Sequence, residues 1–275
     1  MRALRRMSKP WWMRAVLRLR LTRVARFFRR DTRYAPAAER LSDDDGLRML
    51  VLAHRAKRSG FELRRMPPAD SVLIEDLAFN SFLVVANRAL RDIAEDLEVG
   101  LDPDLERHFP STISAIDEHL WDDATGQYYS RDAVSGRLLT LPTVATFLPL
   151  WAGVAPDRAA RLVGHLADDS GYWPRYPVPS VPTDGRHFDA QRYWKGPTWV
   201  NMNWAIIQGL RTSGAADVAD ELRTRTLDLT DRFGFAEYFS PLTGEAFGAQ
   251  RFSWTAALVL DLLREEATPD DEPAG

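Results

Sequence analysis

The chain of 275 residues contains no cysteine. That excludes disulfides, thiol nucleophiles and cysteine-ligated zinc or iron–sulfur centres, and it suits a cytosolic setting, the cytoplasmic placement expected here. Also missing is any run of about 18 apolar residues, the length a membrane-spanning helix needs. No membrane partner is expected. There is no glycine-rich phosphate loop, and no alternation of strand with helix that would signal a parallel sheet. The five histidines, His54, His108, His119, His165 and His187, share no ligand spacing, so no metal centre is expected.

Carboxylates are missing from one end. Residues 1–30 hold ten arginines and Lys9, and the first acid is Asp31. Of 36 Lys and Arg, 11 lie in this head, so the remaining 245 residues carry 25 basic against 39 acidic side chains, a net of −14 beneath an overall −3. A signal peptide is excluded because "WWMRAVLRLRL" is interrupted by Arg14, Arg18 and Arg20. Nucleic-acid binding through the head draws no support from so acidic a body. The expected organisation is a basic segment over 1–30, a domain over 31–266 and a disordered, proline-bearing tail over 267–275.

What is present is mostly helical pattern. An apolar fraction of 45% is that of an ordinary globular protein. Ser42 followed by Asp45 resembles a capping box opening a short helix with Leu47, Leu50 and Val51 on one face. Ala78, Phe82, Val85, Ala89, Ile93 and Leu97 predict a long buried helix over 75–97, and Leu105, Phe109, Ile113, Ile116 and Leu120 another over 104–120. Pro156 suits the first turn of a helix over 157–167, and Pro197 that of a buried helix from Trp199 to Leu210. Val218, Leu222, Leu229 and Phe233 mark a further helix stopped by Gly234, and Ser253 begins a last one through Leu263.

Between these helices lie three long loops rich in aromatic residues, two of strand-turn-strand character bending at Ala-Thr-Gly and Leu-Thr-Gly. Long loops in a compact domain are functional or disordered, and disorder does not suit loops so aromatic. They and their edges hold Trp121, Trp173, Trp194, Trp199, Trp254 and six tyrosines, with Asp189, Asn201, Asn203 and Glu237 interspersed. Aromatic faces beside carboxylates and amides suit a sugar, whose C–H faces stack on π-surfaces while its hydroxyls hydrogen-bond. Any one of these aromatics on its own reads as packing; the cluster reads as a site.

These residues carry a resemblance. "YWKGPTWVNMNW" is similar to the Tyr-Trp-Arg-Gly-Pro-x-Trp-x-x-x-Asn signature of glycoside hydrolase family 63 and its mannosylglycerate and glucosylglycerate hydrolase relatives. "FAEYFSPLTGEAFGAQRFSWTAALVLDLL" resembles that family's closing segment and "VLIEDLAFNSFLVVANRALRDIA" its Val-Glu-Asp helix, so the likeness runs from about Phe27 to Glu265. The resemblance implies an all-α (α/α)6 toroid with the loops gathered at one mouth. It also implies hydrolysis with inversion of an α-glucosidic or α-mannosidic bond in a small oligosaccharide or glycosylated glycerate, with no cofactor. Inversion needs a general acid and a general base on opposite faces of the sugar.

By position in the closing loop the resemblance makes Glu237 the base, with Glu245 a rival that reads better as a solvated turn carboxylate. It places the sugar subsite at Tyr193, Trp194, Gly196 and Trp199, with Lys195 where the signature has arginine, a single ammonium instead of a planar fork. Gln127 and Tyr128 lie in a loop the family brings toward the site. Asn203, like Asn201, either orients site residues or caps backbone groups, and Trp254 opens the last helix at the loop's edge. The family's acid is an aspartate whose position falls at or before about residue 12, where no carboxylate stands. With seven or eight helices for a toroid's twelve, the chain is expected to be truncated and to expose faces meant to be buried. Glu75 and Asp76 suit a helix N-terminus; Asp189, four residues before Tyr193, is the candidate substitute acid. The alternative is an inactive remnant or sugar-binding module of the same fold. Oligomeric state stays open.

Overall fold

The structure, a computed structural model, describes residues 11–19, 43–62, 65, 72–167 and 171–264. Ser42, most of the basic head and the tail from Ala267 lie outside the described residues. The chain divides into two compact units, one of residues 1–75 with 131–139, the other of 76–130 with 140–275. Among the described residues no helix is long and apolar enough to cross a membrane.

In the first unit, helices α1 (Trp11–Arg18) and α2 (Asp43–Arg58) bring Met13 and Val51 into a small core with Leu47, Leu52 and Val72. Leu47 and Val51 face inward as their spacing predicts, whereas Leu50 stands out in solvent. Strands β1 (Ile74–Glu75), β4 (Arg131–Asp132) and β5 (Arg137–Leu138) form an antiparallel sheet, and Arg131 donates to both oxygens of Glu75 across it.

The second unit is built of helices. They are α3 (Leu77–Asp96), α4 (Pro103–His119), α5 (Pro149–Ala152), α6 (Pro156–Ala167), α7 (Val200–Thr212), α8 (Ala216–Phe233) and α9 (Ser253–Arg264). Each start has a local cause. Asp76 caps α3 by accepting from the Phe79 N–H at 2.8 Å, and Asp102 caps α4 through Asp104 N at 2.8 Å. Pro103, Pro149 and Pro156 occupy first-turn positions whose missing N–H has no partner to lose. Gly234 ends α8 with a φ of 78°, which glycine adopts without strain.

Helix α5 packs on α3 and α7, and α7 packs on α8 and α9, so α3, α5, α7 and α9 follow one another as an inner row. The core runs along it: Phe147, Leu148, Leu150, Ala205, Ile206, Ile207, Leu210, Leu222 and Leu262 are all sealed from solvent. Helix α7 buries most of its surface, including Val200, Met202, Ala205, Ile206, Ile207 and Leu210, and leaves Asn201, Trp204, Gln208 and Arg211 half-buried along one side. Pro197 is not in its first turn, however. Trp199 is the N-cap, and the Pro197 carbonyl instead accepts from Ser180 N at 3.0 Å.

Helix α3 also departs from expectation. Its buried residues are Leu77, Ser81, Val84 and Ala94; of the predicted stripe, Ala78 packs against the core and Phe82 meets Trp151 edge-on, while Ala89, Ile93 and Leu97 are exposed. Apolar residues occur on both sides of this helix, so periodicity located the packed side only in its first turns.

The loops ahead of α5, α7 and α9 are fastened to one another. Tyr128 N donates to Thr146 Oγ1 at 3.2 Å and Val144 N to Ser180 O at 3.2 Å. Thr198 exchanges backbone hydrogen bonds with Phe239, at 2.8 and 3.0 Å, and its hydroxyl donates to Tyr176 O at 2.7 Å. The two expected hairpins form as β2 (Trp121–Asp122) with β3 (Gln127–Tyr128) and β6 (Ala236–Phe239) with β7 (Ala246–Gln250).

Candidate functional site

The loop before α7 turns sharply at Tyr193, whose φ of 42° is uncommon for a residue with a side chain. Backbone bonds fix that turn: Asp189 N donates to Lys195 O at 2.8 Å and Lys195 N to Arg192 O at 2.8 Å. Gly196 is needed for it, because a Cβ there would lie 2.4 Å from the Asp189 carbonyl oxygen. Its N–H donates to Ser180 Oγ at 2.9 Å. The result is a single-turn 3-10 helix, Tyr193–Lys195, that brings two large rings forward together.

Those rings stand on a buried stack. Trp194 lies flat on Trp199, with centroids 4.0 Å apart and planes 2° from parallel, and Trp199 stacks in turn on Tyr238 at 4.9 Å. Tyr193 meets both Trp199 and Tyr238 edge-on, at 5.0 and 5.4 Å. The Trp199 indole N–H donates to the Tyr193 carbonyl at 3.2 Å. Tyr193 and Trp194 remain 42% exposed over a Trp199 that is 3% exposed. Trp199, expected in the subsite, therefore supports the platform from below and offers no free face.

Glu237 joins this platform from the other loop. Its Oε1 accepts from the Tyr193 hydroxyl at 3.3 Å and its Oε2 from the Ala249 N–H at 3.1 Å. The second bond depends on the hairpin. Ala236 pairs with Gln250 and Tyr238 with Phe247, so an irregularity at Glu237 sets it against Gly248 and Ala249 of β7. Gly248 leaves the room: a Cβ there would come within 2.6 Å of Glu237 Oε2 and 2.7 Å of the Tyr238 ring. Burial first, then the Glu237 charge and the bond to it, push the Tyr193 phenol above its ordinary pKa. Tyr193 thus keeps its proton and acts as donor toward the carboxylate.

Tyr193, Trp194, Trp199 and Glu237 are brought together, and Lys195 is half-buried in the same turn. Other expected residues are placed differently. Asn203 is fully buried: Nδ2 donates to Pro177 O at 2.7 Å and Thr226 Oγ1 at 2.9 Å, while Oδ1 accepts from Val178 N at 3.0 Å. It caps backbone groups and cannot touch a ligand. Tyr128 is likewise buried, its hydroxyl donating to Asp117, which Arg158 also holds at 2.9 Å. Its ring lies against Trp121 at 4.7 Å, so it is a core residue of the β2–β3 hairpin. Gln127 accepts a long bond, 3.4 Å, from the Tyr129 hydroxyl.

Trp254, half exposed in the first turn of α9, packs near Phe252 at 6.4 Å. Asp189 is exposed, and its Oδ1 accepts from Gln191 N at 3.2 Å inside its own turn. Glu245 is an exposed turn residue whose carbonyl receives Ser240 N at 2.8 Å. Sequence reasoning did not single out Gly248 and Ala249. The signal available was the hairpin itself, whose pairing puts "AFGAQ" opposite "AEYF".

Comparison with known proteins shows the family to which this fold belongs. Residues 10–255 match the model of the mannosylglycerate hydrolase MGH1-like glycoside hydrolase domain. A mannosylglycerate hydrolase of Thermus thermophilus is 35% identical over 254 residues, covering 92% of this chain and 60% of that protein. A glucosylglycerate hydrolase of Mycolicibacterium hassiacum is 30% identical over 82% of this chain and 52% of its own length. The crystal structure of a family 63 mannosylglycerate hydrolase from a second strain of Thermus thermophilus, in complex with Tris and D-glycerate, superposes with a TM-score of 0.78 and 37% identity, over 84% of this chain and 56% of that one. This chain thus spans a little over half the length of these relatives, and the shared architecture is the all-α, (α/α)6 toroid type. On a match of that extent, the chain belongs to the mannosylglycerate hydrolase MGH1-like glycoside hydrolase family.

Proposed function

We propose that this chain carries the binding platform and general base of an inverting glycoside hydrolase. The substrate is an α-mannosidic or α-glucosidic bond in a small oligosaccharide or glycosyl-glycerate. The observation that carries the reading is Glu237, held by Tyr193 and the Ala249 N–H beside the exposed Tyr193 and Trp194 rings. The rings offer π-faces to the C–H side of a pyranose. Glu237 takes the proton of the water that attacks the anomeric carbon, while an acid on the opposite side, about 6.5 to 9.5 Å away, protonates the departing oxygen. The names of the relatives make glycerate conjugates the first substrates to try. No cofactor enters this scheme, and the lack of cysteine favours a cytoplasmic setting.

Asp189 is the carboxylate of the platform loop nearest Tyr193 in sequence and the first to test as the acid. Its bond to Gln191 N ties it into its own turn, and that favours a second reading, a sugar-binding module without turnover. Release of reducing sugar from a panel of α-mannosides, α-glucosides and their glycerate conjugates decides between them. The account expects turnover by the wild-type chain, reduced about 10²- to 10⁴-fold in Glu237→Ala. Unchanged turnover in that variant would remove Glu237 as base. Sugar binding without turnover by a folded wild-type chain would leave the module.

A further inference from the structure

The backbone of the turn that carries Tyr193 and Trp194 is bonded to its own loop. The N–H groups of Phe188, Asp189, Arg192 and Lys195 donate to the carbonyls of Gly185, Lys195, Asp189 and Arg192. Those bonds shape the turn without attaching it to the rest of the unit. The next N–H in the chain, that of Gly196, crosses to the Ser180 hydroxyl at 2.9 Å. Gly196 is buried, so removal of that acceptor leaves its N–H with neither a partner nor water.

Ser180 is built to hold the crossing. It is 3% exposed and lies in the segment "YPVPSVP", where Pro177, Pro179 and Pro182 each fix a backbone φ. Its N–H donates to the Pro197 carbonyl at 3.0 Å, and its carbonyl accepts from Val144 N at 3.2 Å. One residue therefore joins the loop before α5, its own stiff segment and the Gly196–Pro197 pair that follows the exposed rings. We infer, on the reading of those rings as a sugar platform, that Ser180 is a positioning residue. Its hydroxyl fixes where Tyr193 and Trp194 stand over Trp199 and, through Tyr193, the contact with Glu237. It touches no substrate. Without that hydroxyl the turn can release Gly196, and only a fraction of the molecules hold the rings in place. Apparent affinity falls by that fraction, whereas bound sugar restores the arrangement and leaves the later chemistry intact.

Ser180→Ala in the full chain is compared with Asn203→Ala, which breaks buried bonds beneath the platform and none in the turn. In Ser180→Ala the Gly196 amide is expected to exchange about tenfold or more faster by NMR, while Thr198, bonded to the Phe239 carbonyl at 2.8 Å, exchanges as before. The KM for α-mannosyl-glycerate, or its Kd by tryptophan fluorescence, is expected to rise about tenfold, with kcat held within about threefold. Asn203→Ala keeps its KM and Kd despite its lower stability, and Ser180→Thr, which retains the hydroxyl, restores the protection of Gly196. Three results would overturn the assignment: unchanged exchange at Gly196 in Ser180→Ala, faster exchange there with unchanged sugar affinity, or an equal loss of affinity in Asn203→Ala, which would tie the loss to stability and not to position. A wild-type chain that binds no sugar is a separate outcome, since it would remove the platform itself and the role of Ser180 with it.

Discussion

Two donors hold the carboxylate of Glu237, and they come from different loops, one a phenol and one a backbone N–H. The backbone donor is available only because Gly248 has no side chain and sits at a φ of 70°. Gly248→Ala is therefore expected to reduce turnover by about 10²-fold or more and to destabilise by about 1–3 kcal/mol, read from kinetics and urea unfolding of one preparation. An alanine variant with wild-type kinetics would show that the Ala249 contact is dispensable. Asn203→Ala removes the partners of the Val178 N–H and the Pro177 carbonyl in a fully buried place, so unfolding free energy should fall by about 2–4 kcal/mol. Sugar affinity measured by tryptophan fluorescence should hold in that variant, since Asn203 lies beneath the platform.

Ionisation of tyrosine gives a further check at this scale. Burial raises the pKa of Tyr128, Tyr129, Tyr172 and Tyr193 above the ordinary 10.0. A group whose pKa is raised by folding binds its proton more tightly in the native state. Its contribution to stability is complete below pH 10 and is lost as pH climbs through the higher native values. In a titration followed at the phenolate absorbance, these four are expected to lag behind an unfolded control. Full ionisation near pH 10 without unfolding would contradict their environments.

Among the elements, those with one answer were legible. Helix α7 is apolar over most of its surface and reads as central; the "FSPLTGEAF" turn reads as a hairpin. Helix α3 is apolar on two sides, and periodicity does not say which side its neighbours take. Trp199 and Tyr128 have the composition of a sugar site, but Trp199 lies beneath the exposed rings and Tyr128 in the core of the β2–β3 hairpin, because aromatic residues serve equally as platform and as support. Gly209 marks a close contact between two helices, since a Cβ on α7 would meet the Trp151 nitrogen of α5 at 2.6 Å. Gly209→Ala is expected to cost about 1–3 kcal/mol despite alanine's better helix propensity, checked by thermal unfolding.

At the scale of the whole molecule, the glycosidase signature and the toroid fold were readable because motifs at fixed spacing locate loops at the mouth of an inner row of helices. What was not readable is the pairing between loops. Thr198 with Phe239 through the backbone, and Glu237 with Tyr193 and Ala249 through its side chain, join residues about 40 or more positions apart or across a bulged hairpin. The division into two units likewise follows from residues 131–139, which come after β3 in the chain and pair with the strand at Ile74–Glu75. Such an assembly is proposed to carry an inverting glycosidase site based on Glu237. Its most direct test is proton NMR of the first sugar released from an α-mannosyl-glycerate by the wild-type chain and by Glu237→Ala. β-Mannose is expected as the first anomer from the wild type, with release about 10²- to 10⁴-fold slower from the variant; α-mannose first, or no product from a folded wild-type chain, would contradict this.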